Sequence, residues 1–479
     1  MRTANNAQAL VSVDDARVRE LLGRMTRREK IGQLHQVNAG EAHLHEYLAW
    51  ALHEGVVGSV INEVDVAIVN EMQRLAVEES RLGIPLLIGR DVIHGFHTVM
   101  PIPLAQAASW HVEGVTNAAR IAAREAASCG VNWTFSPMLD VSRDPRWGRI
   151  AESFGEDPTL AAQLGAAMVR GYQGDSLSDH AAIAACAKHF AGYGAVEGGR
   201  DYAATNVPVN ELRNVYLPPF EAAVRAGVGA VMTSFSDIDG VPATANAFLL
   251  RQVLREEWGF GGVVLSDWDS VRQLAIHGLT ADDRESAREA MNAGVDMEMH
   301  GDAYLKHLEE LIARSQVDES LLDEAVARVL ALKLSLGLFE QPYTDPDRFP
   351  ALGAADALGT AKQCALEGAV LLRNEGALLP LAPTSLTRVA VVGPLAQAPY
   401  EQLGTWIFDG ERALSVTPLA AIREVLGDGV VVDHVAALET SRSRDESAFD
   451  GAAQIAAQAD VAIVCLGEEA ILSGEAHCR

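Results

Sequence analysis

Over roughly the first 300 residues, eight short apolar runs alternate with stretches of helical periodicity, and this alternation constrains the fold more than any other feature of the chain. The runs fall at 31–37, 58–61, 85–88, 131–135, 183–189, 228–235, 263–267 and 294–299. Helical spacing follows most of them, at 115–129, 160–172, 212–226, 245–258 and 281–293, and an amphipathic stretch at 14–30 precedes them. Strands separated by helices pair in parallel as βαβ units and are buried on both faces. Eight such units predict a closed (β/α)8 barrel of the TIM type, irregular at its start, with a doubly wound open sheet as the structural alternative.

The ends of the runs carry the chemistry. Arg90 and Asp91 follow 85–88, Ser136 follows 131–135, Lys188 and His189 close 183–189, and Asp267, Trp268 and Asp269 close 263–267. In a barrel the C-terminal strand ends converge on one rim, so these residues would share a site. A proline-rich segment with Pro342, Pro346 and Pro350 then breaks all periodicity. It divides the chain into a barrel at 1–338, a linker at 339–357 and an α/β sandwich domain at 358–479. In the second domain 370–372, 389–392, 430–432 and 461–466 read as strands, and 358–367 and 449–459 as helices. So few strands lead to the expectation that this sandwich is C-terminally incomplete.

Charge and cysteine content narrow the partners. The net charge of −27 disfavours nucleic acid and anionic membranes and suits a neutral substrate such as a sugar. The five cysteines include no C-x-x-C pair, so neither a disulfide framework nor a zinc site is indicated. No H-E-x-x-H or Walker pattern occurs. The N-terminus lacks an apolar leader and no run reaches 18 apolar residues, which leads to the expectation of a cytoplasmic protein.

Each candidate residue has a bland reading beside the functional one. Asp267 at a strand tip, beside an indole, suits sugar chemistry, but a solvated carboxylate there could cap the next helix. Arg149, in Arg146-Trp147-Gly148-Arg149, could fork onto vicinal hydroxyls or pair structurally with Glu152 or Glu156. Lys188 and His189 point to opposite faces if the strand stays regular, and can meet one ligand only where it dissolves into a loop. Asp91 could accept two sugar hydroxyls or cap the following segment.

Taken together, these segments resemble the family 3 glycoside hydrolases, chiefly the bacterial β-glucosidase branch. The resemblance rests on 130–158 with Phe154-Gly155-Glu156-Asp157-Pro158, on Lys188-His189-Phe190, on Val231-Met232-Thr233-Ser234-Phe235, and on 254–270 around Asp267. Leu371-Leu372-Arg373-Asn374 and Val391-Val392-Gly393-Pro394 extend it into the second domain. It implies a retaining exo-β-glucosidase acting through a covalent glycosyl-enzyme intermediate, with no metal or organic cofactor. Asp267 would be the nucleophile. Asp91, Arg149, Lys188 and His189 would grip the nonreducing sugar, Met232 would pack against it, and Trp268 would form a wall for the leaving group. The acid/base would come from the loop at 467–475, where Glu468, Glu469 and Glu475 compete; the resemblance favours Glu475, then Glu468. Asp269 is then a helix cap. The family's hexosaminidase branch uses a histidine on a barrel loop instead, and this chain reads Gly199-Arg200-Asp201-Tyr202 there. Asp237 stands where relatives often carry Asn. A β-xylosidase, or a non-catalytic sugar-binding protein on the same fold, remains the alternative, and a homodimer is open by analogy.

Overall fold

The structure, a computed structural model, describes residues 10–40 and 45–478. Eight parallel strands line up in chain order: β1 (His35–Asn38), β2 (Ser59–Ile61), β3 (Leu87–Arg90), β4 (Trp133–Thr134), β5 (Cys186–Phe190), β6 (Ala230–Thr233), β7 (Val263–Leu265) and β8 (Glu298–Met299). Ladder pairing joins β8 to β1 and then β1 through β4, and separately β5, β6 and β7. Two single bridges complete the ring, Trp133 with Ala184 between β4 and β5, and Leu265 with Met297 between β7 and β8. The eight-unit alternation therefore folds as a closed barrel, and the open-sheet alternative does not apply. Strand residues such as Val60, Leu87, Val231 and Val264 are fully buried, as parallel strands covered by helices require.

The helices pack closely around the ring. Helix Val112–Ser128 lies against helix Pro158–Gln173 with alanines on one side and Gly171 on the other. A Cβ on Gly171 would lie 2.5 Å from the Ala119 methyl carbon, so only glycine allows this approach. The N-terminal stretch is two helices rather than one. Ala16–Arg24 ends at Met25, and Arg27–Gln33 starts anew from Thr26, whose side chain forms a reciprocal capping box with Glu29. The long helix Glu319–Ser335 is apolar on most faces and packs against β7 and the first two helices.

Helix Ala355–Gly368 seats on the barrel, with Ala357 and Cys364 against Met100, Ala118 and Ile121. Beyond it a three-stranded parallel sheet has β9 (Arg388–Val392) at its centre, flanked by β10 (Val431–Val435) and β11 (Val461–Val464). Val389, Ala390 and Val391 are its buried core. The run at 370–372 forms no strand. Leu372 is 91% exposed, because none of the three strands pairs with this segment. From the C-terminal ends of β9 and β11, two long loops, 393–414 and 465–478, turn toward the barrel rim, and these loops matter for the site.

Candidate active site

The rim and the two loops enclose a pocket of about 690 Å³. Asp91, Arg149, Lys188, His189, Met232, Asp267, Trp268 and Glu475 all line it, so the structure brings together every predicted site residue except Glu468. Glu468 is exposed and lies outside the lining, and Glu469 is engaged elsewhere, accepting from Ser441 Oγ at 2.8 Å and Arg442 Nε at 3.1 Å.

Asp267 sits two residues past β7 and is 6% exposed. Its Oδ1 accepts the Trp268 N–H at 2.6 Å, while Oδ2 is buried with no hydrogen-bond partner. His189 Nε2 stands 3.7 Å from Oδ2. Burial pushes the Asp267 carboxyl up to about 8, reinforced by the charge of Glu475 and opposed by Arg149 and Lys188. Trp268 stacks on His300 with centroids 3.9 Å apart, which fixes the indole as a wall. Asp269 takes the N-cap position of helix Ser270–Ile276, but its side chain makes no capping hydrogen bond. It has a left-handed backbone (φ 59°), and its carboxylate lies 3.5 Å from Arg272 Nη1 instead.

Lys188 and His189 both reach the pocket because β5 loses its regular register against β6 between Ala187 and Phe190. Lys188 Nζ donates to Asp91 Oδ1 at 2.9 Å. Burial alone would lower this ammonium, but Asp91 and Glu152 outweigh it and hold it raised. Asp91 is thus an ion-pair partner and not a helix cap.

Arg149 makes the structural pair weighed for it and also lines the pocket. Its Nε donates to Glu152 Oε1 at 2.8 Å, both side chains being about 1% exposed, and its Nη2 lies 2.9 Å from His189 Nε2. A guanidinium can only donate, so His189 Nε2 accepts, and the ring proton must sit on Nδ1, which is 2.7 Å from Asp140 Oδ2. His189 is held neutral: burial, Arg149 and Lys188 all lower it well below its ordinary value. Burial pushes Asp140 up to about 7. Arg149 Nη1 is buried without a hydrogen bond and lies 3.9 Å from Glu475 Oε2.

Two features escaped the sequence. Asp140, which orients His189, carried no strand-end signal. The 404–411 strap of the second domain lies in a stretch without periodicity. Its Trp406 covers Lys188 and Arg149, with the cations 5.1 and 5.4 Å from the ring centroid. Asp409 pins the strap through a two-pronged bond to Arg90 at 2.8 and 3.0 Å, and Phe408 stacks below the same guanidinium at 4.8 Å. Among the described residues, no group of His, Cys, Asp and Glu side chains is arranged to hold a metal.

What converges on the pocket is a buried carboxylate oxygen and a guanidinium nitrogen that make no hydrogen bond within the protein, flanked by indoles. This suits a ligand with hydroxyls on its edges and an apolar face.

The family model described as Glycosyl hydrolase family 3 N terminal domain matches residues 26–332, and Glycosyl hydrolase family 3 C-terminal domain matches 369–479. The chain is similar to the periplasmic beta-glucosidase of Salmonella typhimurium, 39% identical over 97% of this chain and 64% of that protein. It is 33% identical to a putative beta-xylosidase of Formosa agariphila, over 96% of this chain and 63% of the other. Among solved structures, beta-glucosidase from Listeria innocua in complex with glucose superposes with a TM-score of 0.89 at 41% identity, covering 96% of this chain and 65% of that one. The chain thus spans just under two thirds of the length of these relatives.

Proposed function

Because the chain belongs to glycosyl hydrolase family 3, we propose that it is a retaining exo-acting β-glucosidase that removes terminal nonreducing β-D-glucosyl residues. The observation that carries this reading is Asp267, a buried carboxylate at a strand tip with Oδ2 unpaired, facing a pocket lined by hydroxyl-binding side chains. In the first step Oδ2 attacks the anomeric carbon while Glu475, from the opposite domain, protonates the departing glycosidic oxygen. In the second, Glu475 takes a proton from water as that water displaces Asp267. Lys188, Asp91, Arg149 and His189 hold the sugar hydroxyls, Met232 packs against the ring, and Trp268 and Trp406 bound the space for the leaving group. The pocket is walled by the rim on one side and by the 404–411 strap on the other, which suits a chain end rather than a mid-chain segment.

Asp267→Ala should leave glucose binding within a few-fold and lower turnover of an aryl β-glucoside by roughly four orders of magnitude, as expected when a nucleophile is lost. A 2-deoxy-2-fluoro glucoside should leave a covalent adduct on Asp267. Near-normal turnover by the variant, or adduct formation on another residue, sinks the assignment. The similarity to a putative β-xylosidase supports a second reading, and an aryl β-xyloside run beside the glucoside separates the two. Reversible binding without turnover of either would favour a non-catalytic sugar-binding protein.

A further inference from the structure

Glu475 comes from a loop of the second domain, 208 residues after Asp267, yet general acid catalysis needs its carboxyl placed to within a fraction of an ångström. Resting on the glycosidase reading above, we propose that Asp201 and Tyr202, on the barrel loop after β5, are positioning residues for this carboxyl: Asp201 anchors its backbone and Tyr202 its side chain.

The contacts are direct. Tyr202 Oη donates to Glu475 Oε1 at 2.6 Å. Asp201 Oδ2 accepts the N–H of Ala476, the next residue, at 2.6 Å. The other oxygen of Asp201 accepts from Trp147 Nε1 at 2.9 Å and from Tyr193 Oη at 2.5 Å. Trp147 and Tyr193 are fully buried and pack edge to face, 5.1 Å apart, and Tyr193 packs in the same way on His189 at 5.3 Å. One carboxylate therefore ties the Glu475 segment to the aromatic cluster that backs a sugar-binding histidine. The tie is fixed on either side by backbone bonds, from Gly474 N to Gly148 O at 2.8 Å and from Gly148 N to His477 O at 3.0 Å. A side chain at Gly148 would meet both of those carbonyls, Gly474 O and His477 O, at 2.6 Å, so the 474–477 segment closes only on glycine.

The orientation follows from the donor. With Oε1 occupied by the phenol, Oε2 is the oxygen left to give and take the proton, and it lies on the Arg149 side of the pocket. Tyr202 holds a left-handed backbone (φ 63°), uncommon for an aromatic residue and maintained where surrounding contacts require it. The phenol stays a donor, since burial and then Glu475 raise it above its ordinary value. Its ring rests edge to face on Phe235 at 5.3 Å, so Tyr202→Phe can keep the packing and lose only the hydrogen bond.

The experiment compares wild type, Tyr202→Phe, Asp201→Asn and Glu475→Ala on two glucosides. 2,4-Dinitrophenyl β-glucoside expels a leaving group that needs no proton; cellobiose needs one. Tyr202→Phe is expected to lower kcat on cellobiose by about tenfold, the worth of one hydrogen bond to a charged group, while the glycosylation rate on the dinitrophenyl substrate stays within about twofold. Asp201→Asn should behave alike with an unchanged KM for either. Equal losses on both substrates, or no loss on either, overturn the proposal, because a merely structural contribution lowers the active fraction regardless of leaving group. If Asp201→Asn fails to fold, Tyr202→Phe alone decides. Glu475→Ala separates this proposal from the reading beneath it. Azide should restore its turnover of the dinitrophenyl glucoside. If azide does not, and no leaving-group dependence is seen, Glu475 is not the acid/base and the proposal falls with that assignment. If Glu475→Ala behaves as expected while Tyr202→Phe and Asp201→Asn do not, only the positioning roles are refuted.

Discussion

Replacing Asp267 with asparagine should make the protein more stable, and by an amount that grows with pH. The carboxyl is raised from 3.8 to about 8 in the folded protein, first by burial and then by Glu475. Below pH ~4 the group is protonated whether the chain is folded or not, so Asp and the isosteric Asn cost the same. Between pH ~4 and ~8 the unfolded chain releases the proton and the folded chain keeps it, so the unfolded state binds fewer protons and wild-type stability falls as pH rises. Above pH ~8 both forms are ionised and the deficit stops growing. Converting the full displacement gives an upper bound of ~6 kcal/mol. Attraction from Arg149 and Lys188 is already inside that figure, but water entering the open pocket screens the charge, and ~2 kcal/mol is the working expectation. The assay is thermal melting of wild type and Asp267→Asn from pH 4 to 9, each curve read at its own midpoint. The two should coincide near pH 4 and diverge steadily to pH 8, with the variant higher. Parallel curves, or a variant that melts below wild type at pH 8, would refute the argument that burial of Asp267 stresses the fold.

Lys333 supplies the opposite sign. Burial lowers this ammonium to about 7 from 10.5, and its Nζ donates to Gln33 Oε1 at 2.6 Å, so wild-type stability should rise between pH ~7 and ~10. Lys333→Met should flatten that rise in urea or thermal unfolding, and an unaltered slope would count against burial holding this lysine neutral in the folded protein above pH ~7. Glu152→Gln removes the carboxylate paired with fully buried Arg149 and should cost about 3–5 kcal/mol in melting experiments while raising KM, since Arg149 also faces the pocket. A variant with wild-type melting and KM would show that Arg149 is held by other contacts.

How much of this was legible in the sequence depends on whether the signal was local. The strands declared themselves through β-branched runs, and a parallel barrel places Asp91, Lys188, His189 and Asp267 on one rim whatever their separation along the chain. Arg149 was legible only as a choice between a structural pair and a ligand; the structure shows the pair with Glu152 and leaves Nη1 without a hydrogen bond in a residue that lines the pocket. Asp140 was invisible, because nothing near it in sequence indicates that it lies 2.7 Å from His189 Nδ1. Trp406 and Asp409 were hidden for the same reason, lying in an aperiodic loop whose place is set by the docking of Asp409 on Arg90 across 319 residues. The run at 370–372 misled in the other direction, because an apolar triplet is a strand only where a neighbouring edge is present to pair with it.

The same charges that stress the fold suit the reaction proposed for it. Five carboxyl groups, those of Asp91, Asp140, Glu152, Asp267 and Glu475, surround two cations, Lys188 and Arg149, while His189 is kept neutral. In the free protein this surplus is unfavourable, and it is relieved in part by the raised proton affinities of Asp140 and Asp267. Glycoside cleavage passes through an oxocarbenium-like transition state, whose positive charge, in the mechanism proposed above, develops beside Asp267. A site with too little positive charge of its own stabilises that charge more than it stabilises the neutral substrate, which is the differential binding catalysis requires. Neutralising Asp267, which forms no ion pair with either cation, should therefore raise stability and lower turnover, whereas neutralising Glu152 unpairs Arg149 and lowers both. Asp267 is the residue where both effects should be largest, because its carboxyl is raised further than that of Asp140, to about 8 against about 7, and it is the group proposed to bond to the anomeric carbon.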